Sequence, residues 1–224
     1  MDSPAHQITS LHIGVPEALG VEGAAAWYDE PWTTAIFKRR VDGAVSVGPL
    51  GLAGDSQADT RVHGGRDKAI CVYPAVHYPA WQRELGREDF ADGAFGENLT
   101  VTGLSEPTVC IGDVYVIGTG VEAVLAQVSQ PRQPCWKLAR KWQLKDLTAR
   151  AVANGRTGWY FRVLRSGTIR PGDHLRLEER PHPTWTISAA NLVMHHRVGD
   201  THALASLDAL SESWKKTLAS RAHG

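Results

Sequence analysis

A tight turn followed by a short apolar strand occurs twice in this chain, and no other feature narrows its fold as much. Cys110-Ile111-Gly112-Asp113 precedes Val114-Tyr115-Val116-Ile117-Gly118, and Pro171-Gly172-Asp173 precedes His174-Leu175-Arg176-Leu177-Glu178. Gly-Asp supplies the turn, and the alternation of His, Arg and Glu with leucines puts one face of the next segment inward. Residues 69–73, 121–128 and 161–164 add further short apolar runs. Many short strands with few helices between them predict an α+β, mainly β fold. They favour a closed or partly closed β-barrel over a parallel α/β sheet.

Helical spacing is confined to a few places. Leu138, Trp142, Leu147 and Ala151 predict one helix over 136–153, ending at Asn154-Gly155, with Pro134 at its first turn. A shorter helix covers 81–85. Pro181-His182-Pro183 reads as a linker. Beyond it, 188–194, 202–205 and 207–218 predict three short helices, which hold only by packing. The expected organisation is a β-barrel domain over 1–180 with a few peripheral helices, and a small three-helix appendage over 184–224.

Charge and apolar content exclude several function classes. Lysines and arginines number 24 and acidic residues 24, so no overall positive field argues for nucleic acid. No run of about 18 apolar residues predicts a membrane span. Residues 1–7 lack the basic start and apolar stretch of a secretory leader. The three cysteines are widely spaced with no C-x-x-C pair, which fits reduced thiols and a cytoplasmic location. The 8 tryptophans are scattered without a basic stripe, so they predict core and interface anchors. His195-His196 are adjacent and diverge on a helix, as surface or packing residues do.

Three segments carry candidate chemistry. Residues 54–69 are long for a turn, and their Gly64-Gly65 pair lets backbone N–H groups approach an anion beside Arg61, His63, Arg66 and Lys68. The same composition suits a solvated loop. Gly96-Glu97-Asn98-Leu99 can bind polar ligand edges or cap a turn. In Gln130-Pro131-Arg132-Gln133-Pro134-Cys135-Trp136-Lys137, a helix starting near Pro134 places Cys135 in its first turn. There the helix dipole, Arg132 and Lys137 favour the thiolate, a nucleophile or a soft metal ligand. Cys71 and Cys110 sit inside apolar strands and read as inert core thiols.

Taken in order, Gly54-Asp55-x-Gln57-Ala58-Asp59, His63-Gly64-Gly65-x-Asp67-Lys68-Ala69, Tyr73-Pro74, Phe95-Gly96-Glu97-Asn98-Leu99 and Gln127 through Pro134-Cys135 resemble the MOSC-domain family. That family is named for the C-terminal domain of molybdenum-cofactor sulfurases. The stand-alone bacterial, YiiM-like branch is the best match, and Gly158-Trp159-Tyr160 and the tail after Pro183 fit it. The resemblance runs from about residue 41 to the C-terminus; the first forty residues carry least of it.

The resemblance implies a MOSC-type β-barrel holding a molybdenum cofactor (molybdopterin), with Cys135 as the molybdenum ligand. Arg61, His63, Gly64, Gly65, Lys68 and Arg132 would then bind the pterin phosphate, and Glu97 and Asn98 the pterin or a metal-bound oxygen. It implies a cytoplasmic oxidoreductase that reduces N-hydroxylated compounds, such as hydroxylamino-purines, to amines by oxygen-atom transfer, a detoxifying activity. No G-x-G-x-x-G, flavin or iron–sulfur motif is present, so the expected electron donor is a separate reductase of the flavoprotein class. A homodimer stays open. Two other readings use the same residues: a carrier of the cofactor or its sulfur, and a thiol hydrolase with Cys135 as nucleophile and His63 as base.

Overall fold

The computed structural model describes residues 6–222. Five of the seven residues on which the leader expectation rests, and the first five of the expected 1–180 domain, lie outside the described residues. β1 (Gln7–Ile13) is followed by β2 (Glu17–Leu19), β3 (Trp32–Thr34), β4 (Arg39–Val41), β5 (Val45–Gly48) and β6 (Gly51–Leu52). β7 (Ile70–Pro74) leads through a 3-10 turn into α1 (Tyr78–Leu85), and β8 (Leu99–Thr102), β9 (Val114–Ile117) and β10 (Val124–Pro131) follow. α2 (Trp136–Trp142) and α3 (Leu147–Ala153) separate β10 from β11 (Trp159–Arg165). β12 (Gly167–Ile169), β13 (Leu175–Glu179), α4 (Ile187–Asn191), α5 (Thr201–Ala205) and α6 (Glu212–Ala222) complete the chain.

The fold is α+β and dominated by one eight-stranded sheet, in the order β13-β9-β10-β11-β7-β8-β1-β4. Its neighbours are antiparallel except β7 and β8. The expected barrel is not closed by a continuous ladder, because the sheet ends at β13 and β4. β1 pairs β8 from Gln7 to Leu11, while β4 takes Leu11 to Ile13. Only the start of β1 remains for the β13 side. There a single bridge joins Gln7 to His174, with Ile8 N–H donating to Asp173 O at 2.9 Å and Leu175 N–H to His6 O at 2.8 Å.

The centre of the sheet sets the site. β7 is buried along its whole length, as a strand covered on both faces must be. Asn98 stitches it to β1: its backbone N–H donates to Cys71 O at 2.8 Å, and its side-chain Oδ1 accepts from Cys71 N–H at 3.0 Å. Its Nδ2 donates to His12 O at 3.2 Å, and its carbonyl accepts from His12 N–H at 2.8 Å. Gly158, at φ 71°, opens β11 where an added Cβ would stand 2.2 Å from Val72 O, so only glycine allows this approach.

The apolar core is continuous across Pro181-His182-Pro183. Ile187, Ala190, Val193, Met194, Leu204, Leu210, Trp214 and Leu218 belong to the same buried cluster as Ile70, Val72, Val128 and Phe161 of the sheet. A second cluster joins Tyr73, Trp81, Phe90 and Phe95 to Leu138, Leu147 and Ala151.

The single helix expected over 136–153 is two helices. Gln143 adopts a left-handed conformation at φ 58° and caps α2 through its N–H. The apolar periodicity survives the break because both helices pack on one cluster. Past the linker, α4 runs on into a π-helical turn, Leu192–His196, in which His195 packs edge-on against Trp214 at 6.3 Å. Among the described residues no helix is long and apolar enough to cross a membrane.

Candidate functional site

Two connected hollows meet at Cys135. The inner cleft is walled by Thr34, Ala35, Ile36, Lys38 and the loop from Asp55 to Ala58. His63, Gly64, Lys68, Cys71, Gly96, Asn98, Arg132, Lys137 and Tyr160 complete it. The outer bay shares Ala58, His63, Lys68, Cys135, Lys137 and Tyr160 and adds Trp32, Arg61, Gln130, Gln133, Trp136, Ser213 and Thr217. Loops 54–69 and 131–135, far apart in the chain, converge because β7, β10 and β11 are adjacent in the sheet.

Cys135 is half-buried. It stands at the N-cap of α2 in an extended conformation (φ −101°, ψ 169°), one residue before the helix rather than inside its first turn. Pro131 and Pro134 bring it there with a stiff backbone. Its carbonyl accepts from Leu138 N–H at 3.0 Å and from Thr148 Oγ1 at 3.2 Å, which leaves the thiol free of structural duty.

Arg132 is the buried cation of the site. Its Nη2 donates to Phe95 O at 2.5 Å, while its Nη1 is buried with no partner. Burial works against its charge. The surrounding Cys71, Tyr160, Glu97 and Cys135 outweigh burial and raise its pKa further. Lys68 donates to Val62 O at 2.8 Å and Lys137 to Thr33 O at 2.8 Å. Burial lowers the pKa of His63 below 6.5, and Lys137 and Lys68 add to the shift. The one carboxylate on the inner wall, Asp55, is ion-paired to Lys38 and accepts from Gly14 N–H. The inner cleft is therefore electropositive and suited to an anion. Gly64, at φ 74°, lets the loop turn where an added Cβ would meet Gln57 Oε1 at 2.3 Å.

Of the expected site residues, Cys135, His63, Gly64, Lys68, Asn98 and Arg132 line the inner cleft. Arg61 lies on the outer bay and is held by Asp59 through Nε and Nη2, each at 3.0 Å; that contact keeps the Asp59 carboxyl down at about 2. Gly65 begins the short turn Arg66–Lys68 and lines neither hollow. Glu97 is fully buried behind the cleft, where its Oε1 accepts from Tyr78 OH, Gly93 N–H (2.8 Å) and Thr100 Oγ1 (2.8 Å). Its Oε2 is buried with no partner among the described residues, and Asn98, which lines the cleft, also bonds to the backbones of β1 and β7.

Sequence reasoning missed four kinds of wall. Thr34, Ala35, Ile36 and Lys38 line the cleft, although the first forty residues carry least of the family signal; Lys137 donates to Thr33 O at 2.8 Å and Lys141 to Ile36 O at 3.4 Å, and Arg140 holds the preceding turn through Tyr28 O and Glu30 O. Cys71, assigned to the inert core, lines the cleft, and burial raises its thiol pKa. Tyr160 faces both hollows, signalled only by its place in Gly158-Trp159-Tyr160. Ser213 and Thr217 arrive from α6, which no local motif announces.

The depressed His63 pKa gives a pH prediction. A histidine lowered below 6.5 in the folded state destabilises the fold as pH falls through 6.5, because the unfolded chain takes the proton first. An anion in the cleft opposes that loss. Inorganic sulfate, which does not titrate here, should raise Tm more at about pH 5.5 than at about pH 7.5, and His63→Gln should flatten the difference. An equal sulfate effect at both pH values would remove His63 from the anion wall.

Among the described residues, no cluster of three His, Cys, Asp or Glu side chains can hold a metal ion alone. One accessible thiol beside an electropositive cleft, with a buried guanidinium N–H unpaired, instead fits an anionic cofactor that brings most of the metal's ligands itself.

Residues 59–176 match the MOSC domain family. The chain is 43% identical over 218 residues to the uncharacterized protein YflK of Bacillus subtilis, covering 96% of this chain and 94% of that one. It is 41% identical over 175 residues to a protein of Gibberella moniliformis named a reductase, covering 77% of this chain and 30% of that protein. The crystal structure of YiiM from Geobacillus stearothermophilus superposes with a TM-score of 0.78 at 42% identity, over 96% of this chain and 98% of that one.

Proposed function

This chain belongs to the MOSC domain family, associated with the molybdenum cofactor, and from that premise we propose that it is a molybdenum-dependent reductase of N-hydroxylated compounds. The observation that carries the reading is the half-buried Cys135 thiol at the junction of an electropositive inner cleft and an open outer bay. The reductase name of the Gibberella relative supports redox chemistry over simple binding.

Cys135 would hold the metal through its sulfur. Arg132, Lys68, His63 and the backbone around Gly64 would hold the phosphate, and the unpaired Arg132 Nη1 would gain its missing acceptor. A molybdenum-pterin group, when bound, supplies the two-electron exchange that removes oxygen from N–OH. The overall conversion of an N-hydroxylamine to an amine consumes two electrons and two protons and releases water. His63, on the wall common to both hollows, can carry a proton to that oxygen through a ring nitrogen. The arm of residues 34–38 and the Lys38–Asp55 pair shield the inner cleft from water. Electrons would come from a separate reductase, a flavoprotein by chemical class, in the cytoplasm.

The hydrolase reading finds less support. Among the described residues no hydrogen bond joins His63 to Cys135, and no carboxylate orients the imidazole. The carrier reading shares the inner cleft but has no use for a bay.

Protein loaded with the cofactor in a host able to make it should reduce an aromatic N-hydroxylamine catalytically with a reduced viologen as donor. A stoichiometric release of cofactor to a cofactor-free acceptor enzyme, with no turnover of the N-hydroxylamine, would establish the carrier instead.

A further inference from the structure

The outer bay differs from the inner cleft in chemistry. Trp136 follows Cys135 directly and is 54% exposed, an unusual cost for an indole unless its face has a use. Its ring lies 5.6 Å from Trp32, and the Arg140 guanidinium sits over both rings, at 5.6 and 4.9 Å. Arg140 is itself buried and fixed on the carbonyls of Tyr28 and Glu30, so the indole pair is a rigid platform.

Another part of the bay's lining is neutral and comes partly from the C-terminal helix. Ser213 and Thr217 stand one turn apart on α6 and line the bay with Gln130 and Gln133. Thr217 Oγ1 donates to Ser213 O at 2.9 Å and Ser213 Oγ to Gln130 Oε1, so both hydroxyls keep lone pairs to accept from a ligand N–H. The wall is held in register with the Cys135 segment. Ser211 and Ser213 donate to Gln130 Oε1 at 2.7 and 3.1 Å, and Gln130 Nε2 donates to Pro131 O at 3.1 Å. Glu212 N–H donates to Asp67 at 3.1 Å, next to Lys68 of the loop.

The geometry points to the outer bay as the substrate-selecting subsite, with Trp136 stacking a planar heteroaromatic ring and Ser213 and Thr217 of α6 reading its polar edge. This inference rests on the reductase reading and assigns its selectivity to a platform and a helix outside the cofactor cleft. The C-terminal helix thereby becomes a specificity element, which its place beyond the linker does not suggest.

Two measurements on the cofactor-loaded protein test it. The first compares kcat/KM for an N-hydroxylamino-purine with that for hydroxylamine itself, which has no ring to stack. In Trp136→Ala the ratio should fall about tenfold or more, the size of a lost stacking contact. Thr217→Val should lower it severalfold. An unchanged ratio in both variants overturns the assignment. The second measures equilibrium binding of adenine, which needs no turnover. Wild type should bind it and Trp136→Ala about tenfold more weakly; no binding by wild type, or equal binding by both, overturns the assignment. A wild-type protein that binds adenine through Trp136 yet reduces neither hydroxylamine refutes the reductase reading and leaves the subsite standing.

Discussion

Cys135→Ala should abolish reduction of N-hydroxylated compounds, by about 10³-fold or more, equivalent to about 4 kcal/mol of transition-state stabilisation. The fold should survive. The thiol makes no cap bond, is half-exposed, and leaves the helix start held at the Cys135 carbonyl by Leu138 N–H and the Thr148 hydroxyl. A substitution of that kind costs within about 0.5 kcal/mol. Molybdenum content should drop with activity, while pterin is retained in part because Arg132, Lys68 and His63 are untouched. Cys71→Ala provides the control for which thiol matters. Cys71 also lines the cleft, but burial holds its proton on, and a protonated thiol is a poor ligand for a soft metal. It should keep molybdenum and lose some stability as a buried side chain does. If Cys71→Ala loses the metal and Cys135→Ala keeps it, the ligand assignment is reversed.

Glu97→Ala should be the most destabilising single change near the site. The side chain is fully buried, and one oxygen receives Tyr78, Gly93 and Thr100 together. Removing it strands three donors, each costing about 1–3 kcal/mol when left unpaired. A net loss of about 3–5 kcal/mol corresponds to a Tm lower by about 8–15 °C for a domain of this length. Glu97→Gln keeps one acceptor oxygen and should lose less. Thermal unfolding of the cofactor-free proteins checks both. If Tm stays unchanged in Glu97→Ala while pterin content falls, Glu97 is a cofactor contact after all, and its observed hydrogen bonds are dispensable.

The sequence was enough for what short-range chemistry decides. Gly-Asp turns marked the starts of β9, an apolar run, and β13, an alternating one of which Leu175 is buried and Leu177 exposed, and Gly64 and Gly158 sit at left-handed positions with no room for a side chain. Cys135, preceded by Pro131 and Pro134 and set between Arg132 and Lys137, stood out as a candidate because local stiffness and charge need no partner from elsewhere, and the structure places it on the wall of both hollows. Arg132, His63 and Lys68 were candidates on the same ground, and all three line the inner cleft.

Tertiary structure alone decided the rest. Glu97 and Asn98 are neighbours in sequence, but their surroundings depend on Tyr78, Thr100 and His12: Glu97 is buried behind the cleft, while Asn98 lines it. Cys71 looks like any core thiol until β7 is laid beside the cleft. The helix over 136–153 breaks at Gln143 because packing of both halves on one cluster outweighs the single left-handed residue. The arm at 34–38 reaches Cys135 across about a hundred residues of chain and the α6 wall across about eighty, the latter through the shared core. Such contacts are selected by burial of apolar surface, which has no direction along the sequence and so leaves no local pattern to read.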